Sequence, residues 1–325
     1  MGNSRVLVTG CAGFIGSILS EKLIEQGYEV IGIDCFTPYY SIALKRFNLK
    51  NLTKSERFSL LEVDLSEIPL YSLVSIVKGV DYIIHEAAQP GVRNSWGESF
   101  QEYVRHNIIT TQKLLEAIIK IGRCRHFIYA SSSSVYGNIM NSPLKEDMIP
   151  KPYSPYGVTK LTAEFLCQTY LENFNLPITI LRYFTVYGPR QRPDMAFHKF
   201  AKALLSGEVI EIYGCGDQVR DFTYVDDVAE ATISTIESKE SIGEIINVGS
   251  NNPIKLIDAV KIIADIIGVE PKYRFSKELK GEVKSTYADI SKAEKILGWK
   301  PKITIKEGLE KEIMWIKHVM SLGLL

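Results

Sequence analysis

Residues 9–16 read TGCAGFIG and follow the apolar run RVLVTG at 5–10. Three glycines at this spacing, between a strand-like run and a helix-like run, leave few folds open. Gly10 permits a tight turn, Gly13 lets the backbone approach a pyrophosphate, and Gly16 lets helix and strand pack closely. FIGSILSEKLIEQG (14–27) then shows helical apolar spacing and closes on Gly27. The first turn of that helix, Phe14–Ile15–Gly16, offers amide donors and the positive end of the helix dipole to an anion. A glycine triplet alone can be no more than a strand–helix turn. Here Asp34 adds to it by ending a second strand, YEVIGID (28–34). A carboxylate there accepts bonds from both ribose hydroxyls and repels a 2′-phosphate, and Cys35 follows rather than an arginine. The expected cofactor is NAD rather than NADP, with Asp64 and Leu65 of VDL (63–65) at the adenine.

The alternation continues. RFSLLEVD (57–64) and VDYIIHEAA (80–88) read as strands, a long helix is expected over 98–121, then a strand HFIYAS (126–131), a helix over 155–174 and a strand ITILRY (178–183). Strands and helices at this spacing predict βαβ units and an α/β, doubly wound parallel sheet of Rossmann type. After about residue 184 the pattern changes to a loop rich in Pro and Arg, shorter elements, and helices near 255–267, 291–297 and 306–320. The expected division is a cofactor-binding part, 1–184, rejoined by about 222–250, where EIINVGS (244–250) returns to the sheet, and a smaller α/β substrate-binding part, 185–325.

Composition narrows the function. Lys plus Arg and Asp plus Glu each number 38, so a nucleic-acid partner held by bulk charge is not expected. The chain opens without a charged, apolar and cleavable leader, and no apolar run reaches membrane-spanning length. Cys11, Cys35, Cys124, Cys167 and Cys215 are odd in number and scattered, which suits reduced thiols in a cytoplasm. The five histidines lack metal-ligand spacing, so no metal is expected.

YGVTK places Tyr156 and Lys160 four apart on one helix face, behind Ser154 as N-cap and Pro155 at the first helical position. An ammonium and a nicotinamide cation both stabilise phenolate, making a base able to take a proton from a secondary alcohol as hydride leaves its carbon. Such a pair is common by chance and gains meaning only downstream of the glycine turn and the serine run ASSSSVYG (130–137).

With TGCAGFIG, HEAAQPGVRNSW, SSSSVYG, SPYGVTK, LRYFTVYGPRQRPDM, YGCGDQVRDFTYVDDVA, NVGS and ADISKAEKILGWKP in place, the chain resembles, nearly end to end, the extended short-chain dehydrogenases/reductases that modify nucleotide sugars. The resemblance implies tightly bound, recycled NAD. It implies a catalytic triad of Ser132, Tyr156 and Lys160, and cofactor contacts near Asp64, Leu65, Ala87, Asn107 and Tyr183. It also implies a homodimer through the helices around 98–121 and 155–174, and a UDP-sugar substrate.

Within that family, 4,6-dehydratases carry an Asp–Glu pair just before VYG, and UDP-glucuronate decarboxylases a Glu before its valine. This chain has Ser133 and Ser134 there, so both reactions lose their acid and base. A 4-epimerase remains. Thr185 replaces the Asn found in many UDP-galactose 4-epimerases, and the loop continues with Arg190 and Arg192. An arginine fork suits a carboxylate, and the combination is most similar to UDP-glucuronate 4-epimerases. Ser133, Ser134, Thr185 and Arg192 are the expected holders of that carboxylate, in an orientation that resists loss of carbon dioxide from the 4-keto uronate. Diphosphate pairing or solvent exposure would be the plainer use of the two arginines.

Arg93, Tyr213, Arg220 and Glu282 are expected at the UDP-sugar by resemblance, Arg220 at the diphosphate and Tyr213 at the uracil. An Arg220–Asp221 ion pair would be the plainer reading. Leu279 stands where the family commonly has an arginine, and His85 reads as a satisfied strand-end histidine. UDP-glucose/UDP-galactose or N-acetylated sugars share the same triad, so only the sugar pocket separates them. A non-catalytic NAD-binding protein would be expected to lack Tyr156 or Lys160.

Overall fold

A computed structural model describes residues 4–139 and 143–325. The apolar runs of the first half form β1 (Arg5–Thr9), α1 (Phe14–Glu25), β2 (Glu29–Asp34), α2 (Ile42–Asn48), β3 (Phe58–Glu62), α3 (Leu70–Val77) and β4 (Tyr82–His85). α4 (Phe100–Tyr103) and α5 (Thr110–Ile121) lead to β5 (His126–Ser132), α6 (Pro155–Phe174) and β6 (Ile178–Tyr183). Next come β7 (Thr185–Tyr187), α7 (Ala196–Leu205), β8 (Ile210–Tyr213), β9 (Val219–Tyr224), α8 (Val225–Glu237) and β10 (Ile245–Val248). β11 (Pro253–Lys255), α9 (Leu256–Ile267), β12 (Tyr273–Ser276), β13 (Ser285–Thr286), α10 (Ser291–Leu297) and α11 (Ile305–Ser321) complete the chain.

Seven strands make one parallel sheet in the order β10-β6-β5-β4-β1-β2-β3. This is the doubly wound α/β fold that the alternation predicts. Helices cover both faces, which is why β4 and β6 are buried at every position and read as unbroken apolar runs. Leu19 and Leu23 of α1 and Val228 of α8 belong to the core on one face; Leu73 of α3, Leu114 of α5 and Ala163 of α6 belong to the core on the other. Winding reverses between β1 and β4, and the carboxyl edge of the sheet at such a reversal is where ligands of open parallel sheets bind. Beyond it, β9 pairs with β7, β11 and β13, while β8 pairs with β12.

The helix expected over 98–121 runs continuously over 100–121, with a change of winding inside it. A π-helical turn, Val104–Ile109, separates α4 from α5. Side chains take up carbonyls there: Thr110 Oγ1 donates to Arg105 O at 3.1 Å and Thr111 Oγ1 to Asn107 O at 2.7 Å. Such turns concentrate at functional sites. α2 and α3 span only 7 and 8 residues, too short to show a helical period. Among the described residues, no helix is long and apolar enough to cross a membrane, and the five cysteines are free.

Candidate active site

The glycine turn closes β1 onto α1. Gly10 has φ +72°, and a Cβ there would sit 3.0 Å from the backbone of Ala87. A Cβ on Gly16 would lie 2.3 Å from the Gly10 carbonyl oxygen. Asp34 secures the turn from β2: its carboxylate accepts from Ala12 N at 3.1 Å and Phe36 N at 2.8 Å. One cavity runs from this turn along the carboxyl edge of the sheet, and every residue expected at the cofactor except Asn107 lines it. Bare backbone with a carboxylate bonded beside it, both opening on one cavity, fits a dinucleotide.

Asn107 sits in the π turn, where its Oδ1 accepts from Gln89 N at 2.7 Å. Its Nδ2 donates to Gln89 O at 3.1 Å and Thr159 Oγ1 at 3.0 Å. These bonds tie the loop at Gln89 to α6, and Asn107 itself does not line the cavity. After β3, burial pushes the Asp64 carboxyl up, but bonds from Ser66 and Arg105 outweigh it and leave it below the usual range. Ligand atoms of Cys35 and His106 lie within 4.8 Å of it and of each other. The three come from different elements, so no spacing pattern announces them.

Sequence reasoning missed two charged groups on this wall. Lys45 of α2 is buried with Nζ 4.0 Å from Asp34 and 3.2 Å from Thr37 Oγ1, and burial pulls its pKa down. It brings a cation to Asp34, where the sequence showed only the absence of an arginine. Glu86 follows β4 and accepts from Tyr183 Oη at 2.7 Å. His85, by contrast, bonds Thr9 at 2.8 Å and Thr111 at 3.0 Å, and burial drives its pKa down to about 3, as a structural histidine requires.

Ser154 caps α6 by accepting from Gly157 N at 3.1 Å, with Pro155 next. A Cβ on Gly157 would lie 2.5 Å from Ser134 O, so the helix start is pressed onto the serine run. Tyr156 and Lys160 both reach the cavity. Lys160 Nζ donates to Ala130 O at 2.6 Å; burial lowers its pKa to about 8, against the pull of Glu86 and Glu164. Burial holds the Tyr156 pKa up, and the hydrogen bond with Ser132 and the charge of Arg192 offset this only in part. A further cation in the cavity would therefore favour phenolate.

The four serines divide. Ser131 donates to the buried Glu164, which Arg182 grips at 3.0 and 2.7 Å. Ser132 faces Tyr156 and donates to Ser134 Oγ at 3.1 Å. Ser133 and Ser134 form the 3-10 turn behind it; of the four, Ser131 lines the first cavity, and Ser132, Ser133 and Ser134 line neither this cavity nor the next.

A second cavity gathers Arg93, Thr185, Tyr213, Arg220 and Glu282. Arg93 Nη2 pairs with Glu282 at 2.6 Å, and its guanidinium lies 4.7 Å over the Tyr213 ring, the face expected to meet a base. Arg220 Nη1 donates to Val219 O at 2.9 Å. Asp221 does not pair with it; that carboxylate is buried and accepts from Ser250 N, Asn251 N and Ala288 N. The arginine loop also separates. Arg190, at φ +70°, is turned toward α1 and bonds Glu21 at 2.8 Å. Arg192 lies on the first cavity, beside Tyr39 and bonded to Asp194 at 2.9 and 3.0 Å.

Residues 7–312 match the sequence model of the family described as GDP-mannose 4,6 dehydratase. The chain is 44% identical to an uncharacterised UDP-glucose epimerase of Bacillus subtilis, over 97% of this chain and 98% of that one. It is 40% identical to UDP-glucuronate 4-epimerase of Thermodesulfobacterium geofontis, over 97% of each. Among solved structures, the UDP-glucuronic acid 4-epimerase of Bacillus cereus, in complex with UDP-glucuronic acid and NAD, superposes with a TM-score of 0.94 at 45% identity. That match covers 97% of this chain and 99% of the other. The protein is therefore a member of the GDP-mannose 4,6 dehydratase family, the short-chain dehydrogenases/reductases with a Rossmann sheet that act on nucleotide sugars.

Proposed function

We propose that the protein is an NAD-dependent UDP-glucuronate 4-epimerase, interconverting UDP-glucuronate and UDP-galacturonate. The observation that carries this reading is Arg192, a buried-side cation opening on the same cavity as Tyr156 and Lys160. A hexuronate brings a carboxylate that this fork can bind in exchange for Asp194. The relatives named as UDP-glucuronate 4-epimerases support the same reading.

Bound NAD supplies a reversible hydride acceptor. Tyr156, as phenolate, takes the O4 proton, Lys160 holds the negative charge of that phenolate, and Ser132 orients the hydroxyl. The resulting 4-keto sugar must turn its other face before Tyr156 returns the proton. Ser133 and Ser134 bring no carboxylate to C5 or C6, so these positions do not supply the acid–base pair that dehydration needs. Thr185 and Arg192 would hold the substrate carboxylate away from the alignment in which it leaves as carbon dioxide, with Ser133 and Ser134 shaping the turn. Arg93, Tyr213, Arg220 and Glu282 would take the UDP part.

UDP-glucose is the second reading, because Asp194 already engages Arg192 and one close relative is named a UDP-glucose epimerase. Incubation with each sugar nucleotide, followed by chromatography and proton NMR, separates them. UDP-galacturonate from UDP-glucuronate alone is the expected result; UDP-galactose from UDP-glucose alone overturns it.

The division of labour would follow the chain, with 1–184 and the returning 222–250 holding cofactor and the rest of 185–325 holding the sugar nucleotide. Free cysteines suit a reducing cytoplasm. A homodimer is proposed through Val158 and Phe165, exposed seven residues apart on α6, and Ile109 beside α5. Sedimentation should give a dimer, and Phe165→Glu a monomer.

A further inference from the structure

Glu86 stands on the wall of the cofactor cavity between the glycine turn and Lys160. A Cβ on Gly10 would lie 3.2 Å from the Glu86 carbonyl carbon, and both Lys160 and Tyr156 feel the charge of Glu86. Facing it, among the described residues, are Lys160 and Tyr156 from α6, Tyr183 from β6 and Thr232 from α8.

The hydrogen bonds form a row. Glu86 Oε1 is 2.7 Å from Tyr183 Oη, which is 2.7 Å from Thr232 Oγ1, and that hydroxyl donates to Val228 O at 2.8 Å. Each hydroxyl has one proton. If Thr232 donates to Val228 and Tyr183 to Thr232, the contact between Glu86 and Tyr183 needs a proton on Glu86. If Glu86 is ionised, Tyr183 turns its proton to the carboxylate and Thr232 turns its own to Tyr183. The row thus accommodates either charge on Glu86 without moving a heavy atom. Burial raises the pKa of this carboxyl to about 7, against the hydrogen bond from Tyr183 and the charge of Lys160. Both states are therefore within reach at neutral pH.

We propose that Glu86 is a charge-compensating positioning residue of the cofactor cavity: it is ionised beside the cationic, oxidised nicotinamide, takes up a proton when that charge is lost, and so biases the bound couple toward the oxidised form. An enzyme whose net reaction leaves its cofactor unchanged needs that form between turnovers. The proton balance is explicit. Reduction places a hydride, two electrons and one proton, on the cofactor; the second proton, on Glu86, comes from solvent. By linkage, a carboxylate that favours the cation must disfavour its reduction.

The test is a mediated redox titration of the holoenzyme, following the reduced-nicotinamide absorbance from pH 5 to 9. No sugar is present, so the outcome is independent of which UDP-sugar is the substrate. Glu86→Gln, close in size and unable to ionise, should raise the midpoint at pH 8 by about 30 mV, tenfold toward the reduced form for a two-electron couple. The wild type should also take up more protons per electron pair than the variant, because Tyr156 responds in both and Glu86 in one. Equal midpoints and equal pH slopes overturn the proposal. If Glu86→Gln does not fold, Tyr183→Phe removes the bond that lowers the Glu86 pKa and should move the bend in the pH profile upward. A wild-type slope of one proton per electron pair throughout, or a bend that Tyr183→Phe leaves in place, overturns it too.

Discussion

In the first cavity the groups that would meet the cofactor are fixed before it arrives. Gly10 and Gly16 present backbone where a Cβ cannot stand, and Asp34 is held by two main-chain amides. In the second cavity the charges face one another: Arg93 holds Glu282 and covers Tyr213. Arg192 belongs geometrically to the first cavity but behaves like the second, since Asp194 fills two of its donors. The contrast separates two ways of recognising a ligand. A preorganised backbone cradle discriminates by shape and costs little to fill. Paired side chains must exchange partners, so they discriminate by the charge that replaces the lost one. A cofactor that stays through many turnovers suits the first; a sugar nucleotide that must enter, turn and leave suits the second.

Changes to the first cavity should therefore be severe. The largest effect is expected from Tyr156→Phe, which removes the proton acceptor and keeps the ring; general-base loss should lower kcat by roughly 10³-fold. Bound nicotinamide, read by absorbance of denatured extracts, should be retained. Loss of both would mean that Tyr156 builds the cavity rather than the reaction. Next is Gly16→Ala, whose Cβ would fall 2.3 Å from Gly10 O. The turn must shift, at a cost on the order of 2–3 kcal/mol. Purified protein should lose most of its bound cofactor and melt lower. Full occupancy with Gly16→Ala would show that the cradle is softer than the contrast requires.

The same contrast explains what was legible in the sequence. The glycine turn and the Tyr156–Lys160 couple are local: a strand–turn–helix and one helix face fix their geometry within a few residues. Placement of Lys45 and Glu86 is not local. It depends on α2 folding against the β2 edge and on β6 lying beside β5, and no spacing encodes either. Asn107 was found by resemblance, but its bonds to Gln89 and Thr159 were not, because the π turn that carries it leaves no trace in apolar periodicity. Arg190 and Arg192 are two residues apart and look equivalent; a left-handed backbone at Arg190 sends one to α1 and leaves the other on the cavity. Ser131 and Ser132 divide similarly, since successive strand residues face opposite ways: one is buried against Glu164 and the other meets Tyr156.

Arg192→Ala tests the side-chain mode on the sugar itself. A charge-assisted hydrogen bond contributes about 1.5–3 kcal/mol, so kcat/KM for UDP-glucuronate should fall at least tenfold while UDP-glucose is affected little. A UDP-pentose by-product should appear as the carboxylate loses its restraint. An intact preference for the uronate without by-product would remove Arg192 from the sugar site and return it to Asp194 as a structural pair.

The smallest effect is expected where the charges are wettest. The side chain of Arg93 is 41% exposed and that of Glu282 is 20% exposed, and such pairs contribute about 0–1 kcal/mol. Glu282→Gln should leave the melting temperature nearly unchanged. It also frees Arg93 from the carboxylate that keeps it over Tyr213, so two terms oppose: Tyr213 becomes easier for a base to reach, while Glu282, if it meets the ribose, is lost. The net change in KM should stay within about threefold, measured with either sugar nucleotide. An increase of a hundredfold would mean that Glu282 is held in place for the ligand as rigidly as Asp34 is, and the division between a fixed cofactor cradle and an exchanging sugar site would no longer hold.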